Sequence, residues 1–248
     1  MNHLRWHKNR PTVLGPRIEQ LPDDHRSKPE CLYQLSWLFE LIGNTVERKR
    51  LLTRALVLWR ERGNDGRVAK MLSVLSHSSR IMGLYKEGIQ EAGEALQIYE
   101  SLDDTAGLAF CLLNLARSLC EDGQLDVAEE TASRAINLLS EKDHQYQLCE
   151  SYHTLGGICQ SKGETDKAIH HSELVLEIAS PFNWHHELVW AHSDLALLFC
   201  DEGRFDEANA HAEHAKSYSV NHAYLLGDVM YLQAWVWYCQ GRLEEARF

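Results

Sequence analysis

The sequence has no apolar run approaching the roughly 18 residues that a membrane-spanning helix needs. The segment 1–29 also lacks the apolar core of a secretory signal, since it carries His3, Arg5, His7, Lys8 and Arg10. We therefore expect a cytoplasmic protein without a membrane partner.

Motifs that hold catalytic chemistry are absent as well. The sequence contains no G-x-x-x-x-G-K-[ST] phosphate loop, no G-x-S-x-G elbow and no H-E-x-x-H. Paired acids such as Asp103 and Asp104 fall in turns, where helix capping explains them. We expect no enzymatic activity in this chain.

The seven cysteines are an odd number and include no C-x-x-C pair, so we predict buried, reduced thiols. The 14 histidines include His170–His171, His185–His186, and the pair His211 and His214. A zinc site needs three or four convergent ligands, and adjacent histidines on a helix point apart. The histidines are therefore predicted to lie on the surface, with no metal and no other cofactor.

Positive charge is scarce outside the amino terminus. The net charge is −11, while the segment 1–29 holds six Lys and Arg against three Asp and Glu. Nucleic acid binding depends on Lys and Arg that displace counterions from phosphates, so we expect no nucleic acid partner. The same segment contains four of the five prolines and no sustained helical period. It is predicted to form a Pro-rich N-terminal arm or linker.

The most informative feature that is present is a ladder of glycines. Gly43, Gly83, Gly123, Gly163 and Gly203 recur at a constant interval of forty positions, and Gly241 follows after a slightly shorter one. A period between roughly 20 and 50 residues is typical of a solenoid, in which each repeat buries its apolar face against its neighbours. The predicted repeats are 30–63, 64–103, 104–143, 144–183, 184–221 and a truncated 222–248.

Each repeat carries the pattern of two helices joined at the glycine. Leucine stands eight positions before the glycine in the first five repeats, followed by a small residue. Apolar or small residues recur at helical spacing after it, as Ala128, Ala132, Ala135 and Leu139 do. The glycine is predicted to end the first helix in a left-handed conformation, and the small residues to let the helices approach closely.

The segments Gly203–Ala208 and Gly123–Ala128 show a glycine, then an apolar residue, then alanine, and the pattern resembles the tetratricopeptide repeat. The resemblance covers residues 30–248. It implies an all-α fold, a right-handed α-solenoid in which antiparallel helix pairs form a tetratricopeptide-like superhelix. The long period is similar to that of the long-repeat subclass of kinesin light chains and the sensor arrays of signalling ATPases. HEAT, armadillo and pentatricopeptide arrays are the alternatives, and the small-residue lattice, the glycine turn and the acidity favour the tetratricopeptide interpretation. The first repeat departs from the pattern, with Arg48 in the place of alanine, and is interpreted as an amino-terminal cap.

In such arrays the first helices line a concave groove, and their exposed residues select the partner. Counting back from each glycine predicts a groove formed by Lys70, His77, Arg80, Asn114, Arg117, His153, Trp190 and Asp194. A partner with a carboxylate near Arg117 and a basic or apolar part near Asp194 would be complementary. The alternative for this strip is a solvated face whose cations pair with acids such as Glu121.

The resemblance implies a noncatalytic protein–protein interaction scaffold or adaptor that binds a peptide or helix of a partner. A second hypothesis is a ligand-sensing regulatory array of a larger signalling NTPase, of which this chain is a fragment; the truncated last repeat motivates it. A third is self-association through the aromatic side chains of the last helix, which are Tyr231, Trp235, Trp237 and Tyr238.

Overall fold

The computed structural model describes residues 14–139, 144–220 and 223–246, and all regular structure in these ranges is helical. Residues 1–13 of the predicted arm lie outside the described residues. The helices are α1 Lys28–Leu41, α2 Thr45–Glu61, α3 Asp65–Ile81, α4 Tyr85–Ser101, α5 Thr105–Glu121, α6 Leu125–Leu138, α7 Gln145–Lys162, α8 Thr165–Ala179, α9 His185–Asp201, α10 Phe205–Ser219 and α11 Ala223–Cys239, with a 3₁₀ turn at Ser180–Phe182. None of these helices is long and apolar enough to cross a membrane.

The chain divides into two compact units, an amino-terminal unit Met1–Thr131 and a carboxy-terminal unit Ala132–Phe248. In the first, α1 packs on α2 and α3 on α4; in the second, α7 packs on α8 and α9 on α10. Short turns join the members of each pair, which makes them antiparallel. First helices of successive pairs also contact each other, as α3 does with α5 and α7 with α9. This arrangement confirms the predicted all-α fold of consecutive helix pairs, like that of tetratricopeptide solenoids.

A left-handed glycine follows the first helix of each repeat, as the sequence predicts. The φ angles of Gly43, Gly83, Gly123, Gly163, Gly203 and Gly241 lie between 73° and 83°. A side chain would be strained at this φ, whereas glycine adopts it readily. The end of the second helix has its own left-handed position at Gly63, Asp103 and Asn183, and Asp and Asn are the residues that tolerate this conformation best after glycine.

Side-chain caps and first-turn acids begin the helices. Oδ1 of Asn64 and of Asp104 each accepts a hydrogen bond from the backbone N–H three positions further on, at 3.0 and 2.9 Å. Asp126, Asp166 and Asp206 lie in the first turn of a second helix, next to the positive end of its dipole. The cap and turn residues therefore set where each helix begins.

Small residues form the contact between the two helices of a repeat. Ala128 and Ala168 have no exposed surface. At the matching position of the second repeat, a Cβ added to Gly88 would lie 3.1 Å from both Ser118 Oγ and the Ser76 carbonyl oxygen. The Ser76 hydroxyl donates to the Gly88 carbonyl at 2.7 Å, so the backbones approach closely enough for a direct hydrogen bond. These contacts agree with the small-residue lattice predicted from the sequence.

The described part of the amino-terminal arm lies against the first helix pair. The Arg62 guanidinium donates to the carbonyls of Asp23, His25 and Arg26 at 3.0, 3.0 and 2.7 Å. Residues 14–19 are helical, and Ile18 packs against the core of the amino-terminal unit. One arginine beyond the end of α2 thus binds the backbone of residues 23–26.

Candidate functional site

Three of the predicted groove residues, Lys70, His77 and Arg80, lie partly exposed on α3. Nζ of Lys70 is 4.8 Å from the centre of the Tyr33 ring, a cation–π contact. Arg80 forms an ion pair with Glu121 of α5, and its buried Nε has no hydrogen-bond partner. Arg80 therefore fits the alternative interpretation of the strip, a solvated face whose cations pair with acids. Lys70 instead contacts an aromatic face.

The two predicted residues on α5 differ in exposure. Arg117 is partly exposed, but Asn114 is 1% exposed, and its Nδ2 is buried without a hydrogen-bond partner. The same position, nine places before the glycine, holds Val74 in one neighbouring repeat and Thr154 in the other, and both are buried. Asn114 therefore lies beneath the surface at this point. We call Lys70, His77, Arg80 and Arg117 the basic strip.

A buried ion pair adjoins the basic strip. Arg48 of α2 is 2% exposed, and its Nη1 lies 2.8 Å from Oε1 of Glu40, although the contact is not aligned as a hydrogen bond. The Arg48 guanidinium is 5.5 Å from the Trp37 ring centre, and Nε2 of His77 lies 3.6 Å from the same Glu40 oxygen. The arginine that marks the first repeat as irregular is thus an interior charge between α1, α2 and α3.

The sequence contains a signal for part of this cluster. The groove offsets, counted back from Gly43, lead to Tyr33, Trp37 and Glu40. Arg48 makes the first repeat look degenerate, so the predicted groove included only residues of later repeats. No periodic pattern predicts that Arg48 itself is buried, since a charged side chain at a small-residue position more often indicates a departure from the repeat.

The electrostatic surroundings keep His77 neutral. Burial lowers the pKa of His77 below its ordinary value of 6.5, and the charges of Arg48 and Arg80 lower this pKa further. Glu40 acts in the opposite direction. A neutral imidazole at this position offers a hydrogen-bond donor and an acceptor rather than another positive charge.

In the carboxy-terminal unit, the structure brings His153, Trp190 and Asp194 into direct contact. Nδ1 of His153 lies 3.0 Å from Oδ2 of Asp194, an ion-pair distance without hydrogen-bond alignment. The His153 and Trp190 rings are stacked, with centroids 4.9 Å apart and an 18° angle between the planes. We call these three residues the aromatic–acid strip.

Two residues that the offsets did not predict extend the aromatic–acid strip. The His186 ring also contacts Trp190, with ring centroids 3.8 Å apart, and its Nδ1 is 3.4 Å from Oε1 of Glu187. Glu187 is 6% exposed and lines a shallow cleft together with Cys149 and Trp190. No sequence signal distinguishes Glu187 from other acids near helix starts.

The described cysteines are free thiols. Burial raises the pKa of Cys111 to about 11 and that of Cys149 to about 12. At neutral pH these two thiols are therefore protonated, and a protonated thiol is a poor nucleophile. Four of the seven cysteines are buried as predicted, whereas Cys31, Cys120 and Cys239 are partly exposed.

The last helix, α11, exposes several aromatic side chains. Tyr231 is 68% exposed and Tyr238 58%, with Trp235 between them at 39%. The Trp235 ring lies 6.5 Å from that of Tyr231 and 5.7 Å from that of Tyr238. They form a continuous aromatic row on this helix.

Paired helices, left-handed glycines and small-residue contacts define an α-helical repeat protein. A tetratricopeptide repeat family model matches residues 67–141 and 147–219. The match spans more than half of the sequence, so the chain belongs to the tetratricopeptide repeat family. No curated protein sequence matches it.

Solved structures share this fold at low sequence identity. BtubC from P. vanneervenii is 18% identical, with a TM-score of 0.68 over 89% of this chain and 92% of that chain. A Rap protein complexed with competence and sporulation factor is 13% identical, with a TM-score of 0.76 over 95% of this chain and 76% of that one. A signal transduction ATPase of the STAND class from Pyrococcus horikoshii, with a tetratricopeptide repeat sensor, is 12% identical, with a TM-score of 0.68 over 86% of this chain and 33% of that one. These likenesses confirm the fold resemblance stated from the sequence.

Proposed function

We propose that this chain is a noncatalytic, cytoplasmic scaffold or adaptor that binds a peptide or helical segment of another protein along its first helices. Membership of the tetratricopeptide repeat family supports a role in protein interaction. The observation that carries the proposal is the basic strip, because it places four nitrogen-bearing side chains on the adjacent helices α3 and α5 of a chain with a net charge of −11.

The chemistry of the basic strip favours a partner segment with a carboxylate. Lys70 holds its ammonium over an aromatic ring, so a carboxylate can bind it without first displacing an acid of the chain. Arg80 lies one helix turn beyond the neutral His77 and is paired with Glu121, so a partner carboxylate would have to share or displace that acid to bind it. Charge-assisted hydrogen bonds from Lys and Arg to carboxylates are stronger than neutral ones.

The aromatic–acid strip would bind a different part of a partner. Trp190 is partly exposed and contacts the imidazoles of His153 and His186, and Asp194 adds a negative charge next to His153. Such a surface suits an apolar or basic side chain. Aromatic residues are over-represented among the residues that contribute most to protein interfaces.

Fluorescence polarisation with a peptide library tests the proposal. Peptides ending in a free carboxylate are compared with the same peptides amidated at the carboxy terminus, and acidic internal residues are varied separately. We expect Lys70→Glu and Arg117→Glu to weaken binding of the best peptide at least tenfold. Lys86→Glu, an equal charge change on the exposed side of α4, is the control and should leave binding unchanged. If the strip variants bind every captured peptide as the parent chain does, the basic strip is not the binding surface.

A second candidate is the regulatory array of a larger signalling NTPase. The fold likeness to a sensor array of the STAND class favours it, at 12% identity and over 33% of that protein. Sequencing the full reading frame tests this candidate: a nucleotide-binding domain in the same frame supports it, and its absence rejects it.

Self-association through α11 stays a prediction. The exposed aromatic row motivates it. Light scattering across a hundredfold concentration range should show a rising mass, which Tyr231→Ser combined with Trp235→Ser should abolish. A constant monomer mass would remove the hypothesis.

A further inference from the structure

Three histidines from two helices come together in the fifth repeat. His192 of α9 and His211 of α10 place their Nδ1 atoms 2.9 Å apart. His214, one turn further along α10, stacks on His192 with ring centroids 5.0 Å apart and 22° between the planes. We call His192, His211 and His214 the histidine cluster.

Packing alone does not account for this cluster. The position of His192, eleven places before the glycine, holds leucine in the first three repeats, as Leu72 and Leu112, and tyrosine in the fourth. Those leucines are buried in the core, and His192 is also buried, at 9% exposure. An imidazole buries less apolar surface than leucine and brings polar nitrogens that need partners. Here the partner of one buried imidazole is a second imidazole.

The sequence predicts surface histidines without a metal, because it shows only which histidines are neighbours along the chain. His211 and His214 alone offer two ligands, one short of a site. His192 lies on the preceding helix, and the packing of α9 on α10 supplies it as the third. Only the folded chain shows three imidazoles in one place.

We propose that the histidine cluster binds a divalent transition-metal ion of the zinc, copper and nickel class. Two imidazole nitrogens on one tetrahedral zinc lie about 3.3 Å apart, given zinc–nitrogen bonds of about 2.0 to 2.1 Å. The two Nδ1 atoms at 2.9 Å need to separate by only a few tenths of an ångström. Imidazole suits these metals, whereas Mg²⁺ and Ca²⁺ prefer oxygen ligands.

The third imidazole must turn to reach the pair, because among the described residues the ring nitrogens of His214 do not converge with those of His192 and His211. His214 is exposed, so its ring can rotate about its side-chain torsions. Glu207 lies one turn before His211 on α10 and is held by Arg204 at 2.5 Å. Both carboxylate oxygens of Glu207 accept hydrogen bonds from Arg204, so water would take the fourth position. Three histidines with one open position is a common catalytic-type zinc geometry.

Calorimetric titration of the full chain with zinc chloride, on protein without a histidine affinity tag, tests the proposal. We expect one ion per chain with a dissociation constant in the micromolar range. His192→Leu, which restores the residue of the first three repeats, and His214→Gln should each weaken binding at least tenfold. The control, His170→Gln on the exposed face of α8, should leave the affinity unchanged.

Imidazole ¹⁵N NMR of the unsubstituted chain gives a measurement that needs no variant. Zinc should shift the ring nitrogens of His192, His211 and His214 and leave those of His170 in place. The proposal is overturned if these three rings do not respond. It is also overturned if zinc binding survives His192→Leu in a chain that circular dichroism shows to be folded, or if His3→Gln with His7→Gln abolishes the binding.

Discussion

Arg48 and Glu40 form an ion pair in which the arginine side chain is almost wholly buried, with Nη1 2.8 Å from Oε1. The same position in the later repeats holds glycine or alanine, and there the two helices of a repeat meet closely. In the first repeat a long side chain fills that space and carries a charge into the interior. A buried charge costs free energy unless a partner compensates it, so Glu40 has a structural role that its own partial exposure does not suggest.

Removing the charge of Glu40 should therefore destabilise the chain. We expect Glu40→Gln to lower the free energy of unfolding by about 3 kcal/mol, because it leaves the Arg48 charge buried without a partner. Replacing both residues, with Arg48→Met in the same chain, should recover most of that loss. Urea denaturation measures both. The exposed pair Arg60 and Glu94 provides the control, since Glu94→Gln should change stability by less than about 1 kcal/mol. Equal decreases in the free energy of unfolding for Glu40→Gln and Glu94→Gln would contradict a structural role of Glu40 as the partner of a buried charge.

Two glycines in adjacent helices should respond in opposite directions to the same substitution. A Cβ on Gly107 of α5 would overlap the ring of the buried Tyr99, with Cδ1 only 2.6 Å away, so Gly107→Ala should cost about 1 to 3 kcal/mol. At Gly93 of α4, nothing lies within 4 Å of an added Cβ. Gly93→Ala should stabilise the chain by about 0.5 to 1 kcal/mol, because alanine loses less backbone entropy in a helix. Thermal unfolding of the two variants measures both changes in stability. Destabilisation by Gly93→Ala would contradict the open space found around an added Cβ at Gly93.

The lowered pKa of His77 predicts a loss of stability in mild acid. Unfolded His77 takes up a proton near pH 6.5, whereas the folded side chain does so only at lower pH, because it is partly buried and lies near the charges of Arg48 and Arg80. Below pH 6.5 the unfolded state therefore binds more protons, and the free energy of unfolding falls as the pH is lowered. Above that pH both states are neutral and the effect disappears. Urea denaturation between pH 7.5 and pH 5 should show a smaller decrease in His77→Gln than in the parent chain, and parallel curves would refute the prediction.

Arg62 should control the order of the segment before α1. Its guanidinium donates hydrogen bonds to three backbone carbonyls within four residues, those of Asp23, His25 and Arg26. We expect Arg62→Ala to raise amide hydrogen exchange at least tenfold over residues 23–27 while the exchange of α3 stays the same. Arg60→Ala is the matched control, since Arg60 pairs with Glu94 on α4 rather than with the described part of the arm. Unchanged exchange in the Arg62 variant would show that other contacts order the segment.

Much of the fold could be predicted because its signals are local and repeated. The left-handed glycine, the small residue five places later and the acid in the first turn each act within about two helix turns. Their recurrence at the same places in successive repeats identified the glycine turn that ends each first helix, and the family. The offsets also located His153, Trp190 and Asp194, which the structure brings into contact.

The candidate sites were less predictable, since an offset tells which face of a helix a residue occupies but not what lies opposite. Asn114 satisfies the groove offset and is nevertheless buried. Glu187 has no periodic signature at all and becomes part of the cleft beside Trp190 through the approach of α7 to α9.

Sequence spacing alone was sufficient to predict the repeat, the helix pairs and the lattice of small residues. These features depend on backbone conformation and on contacts between residues close in the chain. Tertiary packing alone decided that Arg48 is an interior charge held by Glu40, and that His192 meets His211 across two helices. Both are pairs of polar side chains from different helices. Their energy depends on distance, burial and orientation in three dimensions, and no periodicity in a single helix encodes these quantities.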